Sequence, residues 1–153
     1  MVGETLTWFT EPSRATGEEL AAIERATGWR LPDDFREFAL RFSGGAPNET
    51  DFDFADGQTG KFYASAAEFL SLKAADERSI LQSMQRIEYF PDGLVPFAAD
   101  GGGNYVCFDF RTSGVPNVVF WNHGRRGLTD EISLVSRSFE DFIHCLKKPP
   151  DED

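Results

Sequence analysis

The spacing of apolar residues predicts helices near both ends of the chain. Thr16 and Glu19 form the pattern of a capping box, which predicts a helix that begins there and ends at Gly28. From Pro32 to Phe42 apolar residues recur every three or four positions, so a second helix is expected, with Pro32 in its first turn. Ser138 precedes a third such pattern from Phe139 to Leu146, which predicts a capped helix at the end of the chain.

The middle of the chain gives two further helical patterns. Ser65 and Glu68 have the spacing of a second capping box, which predicts a helix that buries Phe69 and Leu72. The segment from 76 to 89 also carries apolar residues at helical spacing, so a helix is expected there.

Alternation of apolar and polar residues predicts strands between these helices. In residues 51–54 two aromatic rings should face the core, while Asp51 and Asp53 face solvent. Other strands are expected at 60–63, 94–98, 104–110, 117–121 and 131–135, the one at 104–110 half-buried. The pattern contains no internal repeat or linker, so we expect one α+β domain in which helices flank an antiparallel sheet.

Three consecutive glycines, Gly101 to Gly103, join the strands predicted at 94–98 and 104–110. Nucleotide-binding loops run from a strand through glycines into a helix, and they carry characteristic glycine spacings that this segment lacks. The glycines are therefore interpreted as a structural turn, where the backbone must bend sharply or pass close to another segment.

Composition and charge narrow the class of partner. The chain has 153 residues, a formal net charge of −11 and a high aromatic content that includes fifteen Phe, which favours a bulky core. Negative charge disfavours nucleic acids and anionic membranes and favours a basic protein partner. No stretch approaches the roughly 18 apolar residues of a membrane span, and no signal peptide is visible. Cys107 and Cys145 lie in apolar surroundings and are interpreted as buried, reduced thiols, which points to the cytoplasm.

No catalytic or metal-binding pattern is recognised, and no cofactor is expected. A calcium loop beginning at Asp51 would need oxygen ligands at its fifth and twelfth positions, where Ala55 and Phe62 stand. The two histidines, His123 and His144, show no metal-ligand spacing, and no nucleophile motif occurs. We therefore expect a binding protein rather than an enzyme.

Four groups of positions occur in a fixed order along the chain. They are Leu31, Pro32, Asp34, Phe35, Phe38, Gly44 and Gly45; Val95, Pro96, Phe97, Ala98, Asp100, Gly103 and Asn104; Phe108, Asp109, Val118, Trp121 and His123; and Ser138, Phe139, Phe142 and Leu146. This ordered set resembles the SUKH superfamily, which includes bacterial toxin-immunity proteins and a fungal cell-wall assembly regulator. The resemblance covers about residues 17–147, leaving a tail at 148–153 that we expect to be frayed.

The resemblance implies a curved, mostly antiparallel sheet and a cytoplasmic immunity protein that binds and neutralises a cognate toxin. Many such toxins resemble nucleases, whose basic faces an acidic inhibitor could cover. Candidate contacts are the acids Asp51, Asp53, Asp56 and Asp100, with Tyr105 and Trp121 as aromatic anchors, although core positions are the alternative for both rings. A regulatory or scaffold module that binds other proteins or a small ligand is the second hypothesis. An enzyme with a polar pocket along the concave sheet, containing His123 or Asp109, is the third. Asp109 is expected to be hydrogen-bonded to nearby backbone, which would make it a stabilising residue.

Overall fold

A five-stranded antiparallel sheet and four short helices form the core of the computed structural model, which describes residues 2–54, 62–66 and 68–150. In chain order the elements are β1 (Trp8–Thr10), α1 (Gly17–Thr27), α2 (Asp33–Ala39), β2 (Ala46–Pro47), β3 (Asp51–Phe54), β4 (Phe62–Ser65), β5 (Glu68–Phe69), α3 (Ile80–Arg86), β6 (Leu94–Ala99), β7 (Tyr105–Asp109), β8 (Asn117–Trp121), a 3-10 turn (His123–Arg125), β9 (Ile132–Ser136) and α4 (Phe139–Cys145). The predicted α+β class is confirmed.

The main sheet is a meander in which β5, β6, β7, β8 and β9 lie side by side in sequence order. Two small antiparallel pairs, β1–β2 and β3–β4, complete the strands. Pro96 lies within β6, where it cannot donate a backbone hydrogen bond, and the register with β7 shifts between Pro96 and Ala98. This irregularity explains how an interior strand accommodates a proline.

Both faces of the main sheet are covered. On one face the ring of Phe108 packs against Phe35 of α2, with 5.1 Å between ring centroids. On the other face Phe90 packs against Trp121, at 4.9 Å. Consecutive residues from Tyr105 to Phe108 are therefore all buried, and the expectation of a half-buried strand is wrong because a second layer covers its other side.

Aromatic rings from distant parts of the chain fill the core between the sheet and helices α2 and α4. Phe139, the first residue of α4, lies 4.9 Å from Phe38, 5.1 Å from Phe35 and 5.3 Å from Phe97 between ring centroids. Phe142, one turn later, packs against Phe97 at 5.4 Å. Several of these residues belong to the matching positions named above, and their burial gives them a structural role.

The predicted helix boundaries hold at α1 and α4 and shift at α2. Both hydrogen bonds of the capping box at Thr16 are present, and Gly28 ends α1 at φ +80°. Ser138 caps α4 by accepting the N–H of Asp141 at 3.1 Å. Pro32 is the N-cap of α2 rather than a residue of its first turn, and α2 ends at Ala39, before Phe42, where the predicted helical pattern ends.

The middle of the chain contains the largest error of the sequence prediction. Glu68 and Phe69 form the edge strand β5, which pairs with Ala98 and Ala99, so the helix predicted from Ser65 is wrong. Phe69 and Leu72 are nevertheless buried, as expected. The next predicted helix shortens to α3, which begins after the cap Ser79 rather than at residue 76.

The two cysteines differ in exposure. Cys107 is fully buried in β7, and burial followed by the nearby charge of Asp109 raises its pKa well above the ordinary value. Cys145, at the end of α4, is exposed, which corrects the expectation that both thiols are buried. Residues 148–150 are exposed and have no regular structure, and 151–153 lie outside the described residues.

Candidate partner-binding site

The three glycines form the turn between β6 and β7, as predicted. Gly101 and Gly103 have φ values of +85° and +92°, a backbone conformation that favours glycine. The carboxylate of Asp100 organises the turn, because its Oδ1 accepts the N–H groups of Gly102 at 2.7 Å and Asn104 at 3.0 Å. The carboxylate of Asp100 is therefore hydrogen-bonded within its own loop and stabilises the turn.

Asn104 connects this turn to the 3-10 turn that follows β8. Its side-chain Nδ2 donates to Asp100 Oδ2 at 2.9 Å, and its Oδ1 accepts the backbone N–H of His123 at 3.1 Å. His123 Nδ1 lies 2.7 Å from the same Oδ1, so this nitrogen carries the donated hydrogen. A Cβ on Gly103 would lie 2.8 Å from His123 Cε1, so only glycine fits where the two turns meet.

Tyr105 and Trp121 lie beneath these turns and are core residues. They face each other across β7 and β8, with 6.3 Å between ring centroids and 16° between ring planes. Trp121 is fully buried and donates its Nε1–H to Glu131 at 2.8 Å, while Tyr105 is 8% exposed. Neither ring is a surface anchor in this fold, which corrects that candidate assignment.

Tyr89 is the exposed aromatic residue in this region, and the sequence prediction missed it. Tyr89 is 40% exposed, and its ring packs against Trp121 with 6.3 Å between ring centroids. The guanidinium of Arg126 lies over the Tyr89 ring, 4.0 Å from its centroid. The apolar spacing of residues 76–89 placed Tyr89 in a predicted helix, and no local feature of the sequence indicated that its ring would be exposed.

The acids of β3 also differ from expectation. Asp51 is 3% exposed, so the prediction that it faces solvent is wrong. Its Oδ1 accepts the hydroxyl of Thr50 at 3.0 Å, whereas its Oδ2 has no hydrogen-bond partner within the described residues. Lys147 pairs with the backbone of Asp51 and donates its Nζ to Asp53 at 2.9 Å. Asp56, together with Ala55 of the calcium loop considered above, lies outside the described residues.

The five candidate contacts that the structure describes therefore do not form one surface. Asp100, Tyr105 and Trp121 belong to the end of the sheet where the glycine turn lies. Asp51 and Asp53 instead lie on β3, next to the end of α4. Within the described residues, no group of three or more His, Cys, Asp or Glu side chains has the arrangement of a metal site.

A different cluster of acids is created by the packing of α2 against α4. The carboxylate of Asp34 accepts the backbone N–H of Glu140 at 3.0 Å, which joins the N-terminal ends of the two helices. Phe139 packs on Phe35 and Phe38 beneath this junction. The acids of these two helices, here named the acidic α2–α4 edge, are Asp33, Asp34, Glu37, Glu140 and Asp141.

The acidic α2–α4 edge is accessible. All of its members except the half-buried Asp34 are exposed, and Asp33, with a side chain 88% exposed, pairs with Arg30 at 3.0 Å. The positive ends of both helices favour the carboxylates in their first turns. The acids of each helix are visible in the sequence, but their association depends on a contact between residues 106 positions apart.

The fold and its aromatic core define a class of protein. Comparison with known families identifies this class. Residues 14–144 match the model of the SMI1 / KNR4 family (SUKH-1), and the chain belongs to that family. The chain is also similar to the "SPbeta prophage-derived uncharacterized protein YokK" of Bacillus subtilis (strain 168). The two are 28% identical over 163 residues, which cover 92% of this chain and 79% of that protein. Among the described residues, no helix is long and apolar enough to span a membrane.

Proposed function

We propose that this protein is a cytoplasmic immunity protein that binds a cognate toxin and blocks it without performing chemistry. Membership of the SUKH-1 family supports this proposal, because the superfamily includes immunity proteins. The similarity to a prophage-derived protein is consistent with it. The observation that carries the proposal furthest is the acidic α2–α4 edge, because it gives a chain of net charge −11 a defined surface for a basic partner.

Electrostatics explains how such a surface would work. Carboxylates on a rigid helix junction attract a basic protein at long range and accelerate its association, typically by 10- to 1,000-fold. A nuclease presents its basic face to nucleic acid, so a partner bound there prevents the substrate from reaching it. The aromatic packing beneath Asp34 holds the charges in place, so little ordering is needed on binding.

Coexpression with the toxin-like product of a neighbouring gene tests the proposal. We expect rescue of growth and a complex that survives gel filtration. If neither is observed with any such product, the immunity function is wrong. A stable complex with a protein that is not toxic would instead support the regulatory or scaffold hypothesis.

A charge-matched pair of variants tests the proposed surface. The combined substitution Asp33→Asn, Glu37→Gln, Glu140→Gln and Asp141→Asn removes four charges from the edge. The control removes four exposed charges from other segments, by Glu11→Gln, Glu18→Gln, Glu77→Gln and Glu88→Gln. We expect the first variant to slow association at low salt by about 10-fold or more, and the control to change it much less. Equal effects would show that only net charge matters and that the edge is not the contact.

A further inference from the structure

A small cavity beside the glycine turn is lined by two cationic side chains, although the chain as a whole is strongly acidic. The cavity has a volume of about 170 Å³ and lies between α3 and the turn that joins β6 to β7. Arg78, Ser83 and Arg86 line it from α3 and the segment just before it, and Gly101 and Gly103 line it from the turn. The lining also includes one acidic residue, Glu68, which is paired with Arg78. We name it the Arg78–Arg86 cavity.

Ser83 supplies the observation that points to a ligand. The side chain is 1% exposed, and its Oγ has no hydrogen-bond partner within the described residues. A buried hydroxyl without a partner costs stability, so nearly all such groups in folded proteins are paired with protein, water or a bound species. A polar ligand in the cavity would give this hydroxyl a partner.

The remaining donors of the cavity are also incompletely used. Arg78 donates from one nitrogen to Glu68 at 2.6 Å, and Arg86 donates to the carbonyl of Glu77 at 3.1 Å. Each guanidinium has five N–H donors, so both retain further hydrogen-bonding capacity. On the opposite side of the cavity the turn backbone is held by Asp100, which accepts the N–H groups of Gly102 and Asn104.

We propose that the Arg78–Arg86 cavity binds a small tetrahedral oxyanion, namely phosphate or the phosphate group of a small molecule. Two guanidinium groups and a hydroxyl are donors, and a phosphate offers acceptor oxygens in several directions, which a single carboxylate does not. The volume is below the roughly 300–1,000 Å³ of sites for drug-sized ligands, so a whole nucleotide is not expected to be enclosed. This proposal is independent of the toxin-binding function.

Thermal unfolding with inorganic phosphate tests the proposal, with sodium chloride at matched ionic strength as the reference. We expect a saturable rise in Tm of about 3–6 °C at ten times the dissociation constant, for a domain of this size. Arg86→Gln and Ser83→Ala should each abolish most of this rise. Arg25→Gln should retain it, because Arg25 is an exposed arginine paired with Glu18 at 2.7 Å that does not line the cavity.

Isothermal titration of the same proteins with inorganic phosphate and with glycerol phosphate distinguishes the free ion from a phosphomonoester. If one of the two ligands binds more tightly and this binding is lost in Arg86→Gln, the site is supported. The preferred ligand then shows whether the site takes the free ion or a phosphomonoester. A Tm rise that does not saturate, or that is equal in Arg86→Gln, Ser83→Ala and the unmodified protein, would reflect a general salt effect and would overturn the proposal. Absence of heat and of any Tm rise with both ligands would overturn it as well.

Discussion

Asp109 gives the sharpest test of the division between structural and partner-binding residues. It ends β7, and its side chain is only 11% exposed. Its Oδ1 accepts the backbone N–H of Arg111 at 3.0 Å, and its two oxygens accept the guanidinium of Arg111 at 2.9 Å each. The expectation of a hydrogen bond to nearby backbone is confirmed, and the two-pronged ion pair with Arg111 adds to it.

The expected loss on Asp109→Ala follows from these contacts. An ion pair with one half-exposed partner contributes about 0–1 kcal/mol, and a backbone hydrogen bond to a charged group about 1.5–3 kcal/mol. Because part of this is offset by hydration in the unfolded chain, we expect a net loss of about 1–3 kcal/mol. For a domain of this size that lowers Tm by about 3–10 °C.

The pH dependence of stability provides a second test of the contact between Asp109 and Arg111. Burial alone would raise the pKa of Asp109, but the hydrogen bonds and positive charge of Arg111 hold that pKa below its ordinary value. A carboxyl whose pKa is lower in the folded state stabilises the fold above its unfolded pKa, about 3.9, and loses that contribution as the pH falls through the folded value. The difference in stability between the unmodified protein and Asp109→Ala should therefore be constant from pH 6 to 8 and shrink below about pH 4.

Urea unfolding at several pH values, with Arg111→Ala and the double variant, completes the test. The cycle should give a coupling energy of about 0.5–1.5 kcal/mol between the two side chains near neutral pH. If Asp109→Ala unfolds at the same urea concentration as the unmodified protein but no longer binds its partner, Asp109 belongs to the contact surface and the structural assignment is wrong.

Three further predictions concern other parts of the fold. Gly103→Ala should lower the free energy of unfolding in urea by at least about 1 kcal/mol, because Gly103 has a positive φ and His123 occupies the space that a Cβ would take. Gly102→Ala, the control, should be nearly neutral, and equal losses in the two variants would contradict this prediction. Cys145 should react with a thiol reagent in the native protein and Cys107 only after unfolding, so a native count of two thiols would disprove the burial of Cys107. Thr16→Ala should lower stability by about 1 kcal/mol and Thr16→Ser by much less, measured by thermal unfolding.

Local chemistry in the sequence was sufficient for the features that depend on neighbouring residues. The capping box at Thr16, the cap at Ser138 and the turn at Gly101–Gly103 were all predicted and confirmed, because their hydrogen bonds join residues a few positions apart. The strands around the glycine turn were predicted for the same reason, since alternation and turn residues are read within one short window.

The tertiary structure decided which of these residues are accessible. Tyr105 and Trp121 are buried because the segment after α3 covers the second face of the sheet, and Asp51 is buried where β3 meets the end of α4. Glu68 and Phe69 form an edge strand instead of the predicted helix because they pair with the edge of β6. Those backbone hydrogen bonds join distant segments, so the local propensity of the sequence does not encode them.

The sequence by itself therefore determined the fold class, most elements and the negative charge of this protein. Its candidate sites, the acidic α2–α4 edge and the Arg78–Arg86 cavity, were decided only by packing. Asp34 is bonded to Glu140, 106 residues away, and Arg86 lines the same cavity as Gly101 and Gly103 of the turn after β6, so no local window contains either pair. Side-chain burial and the grouping of charges are properties of the folded surface, and they exist only once distant segments exclude water together.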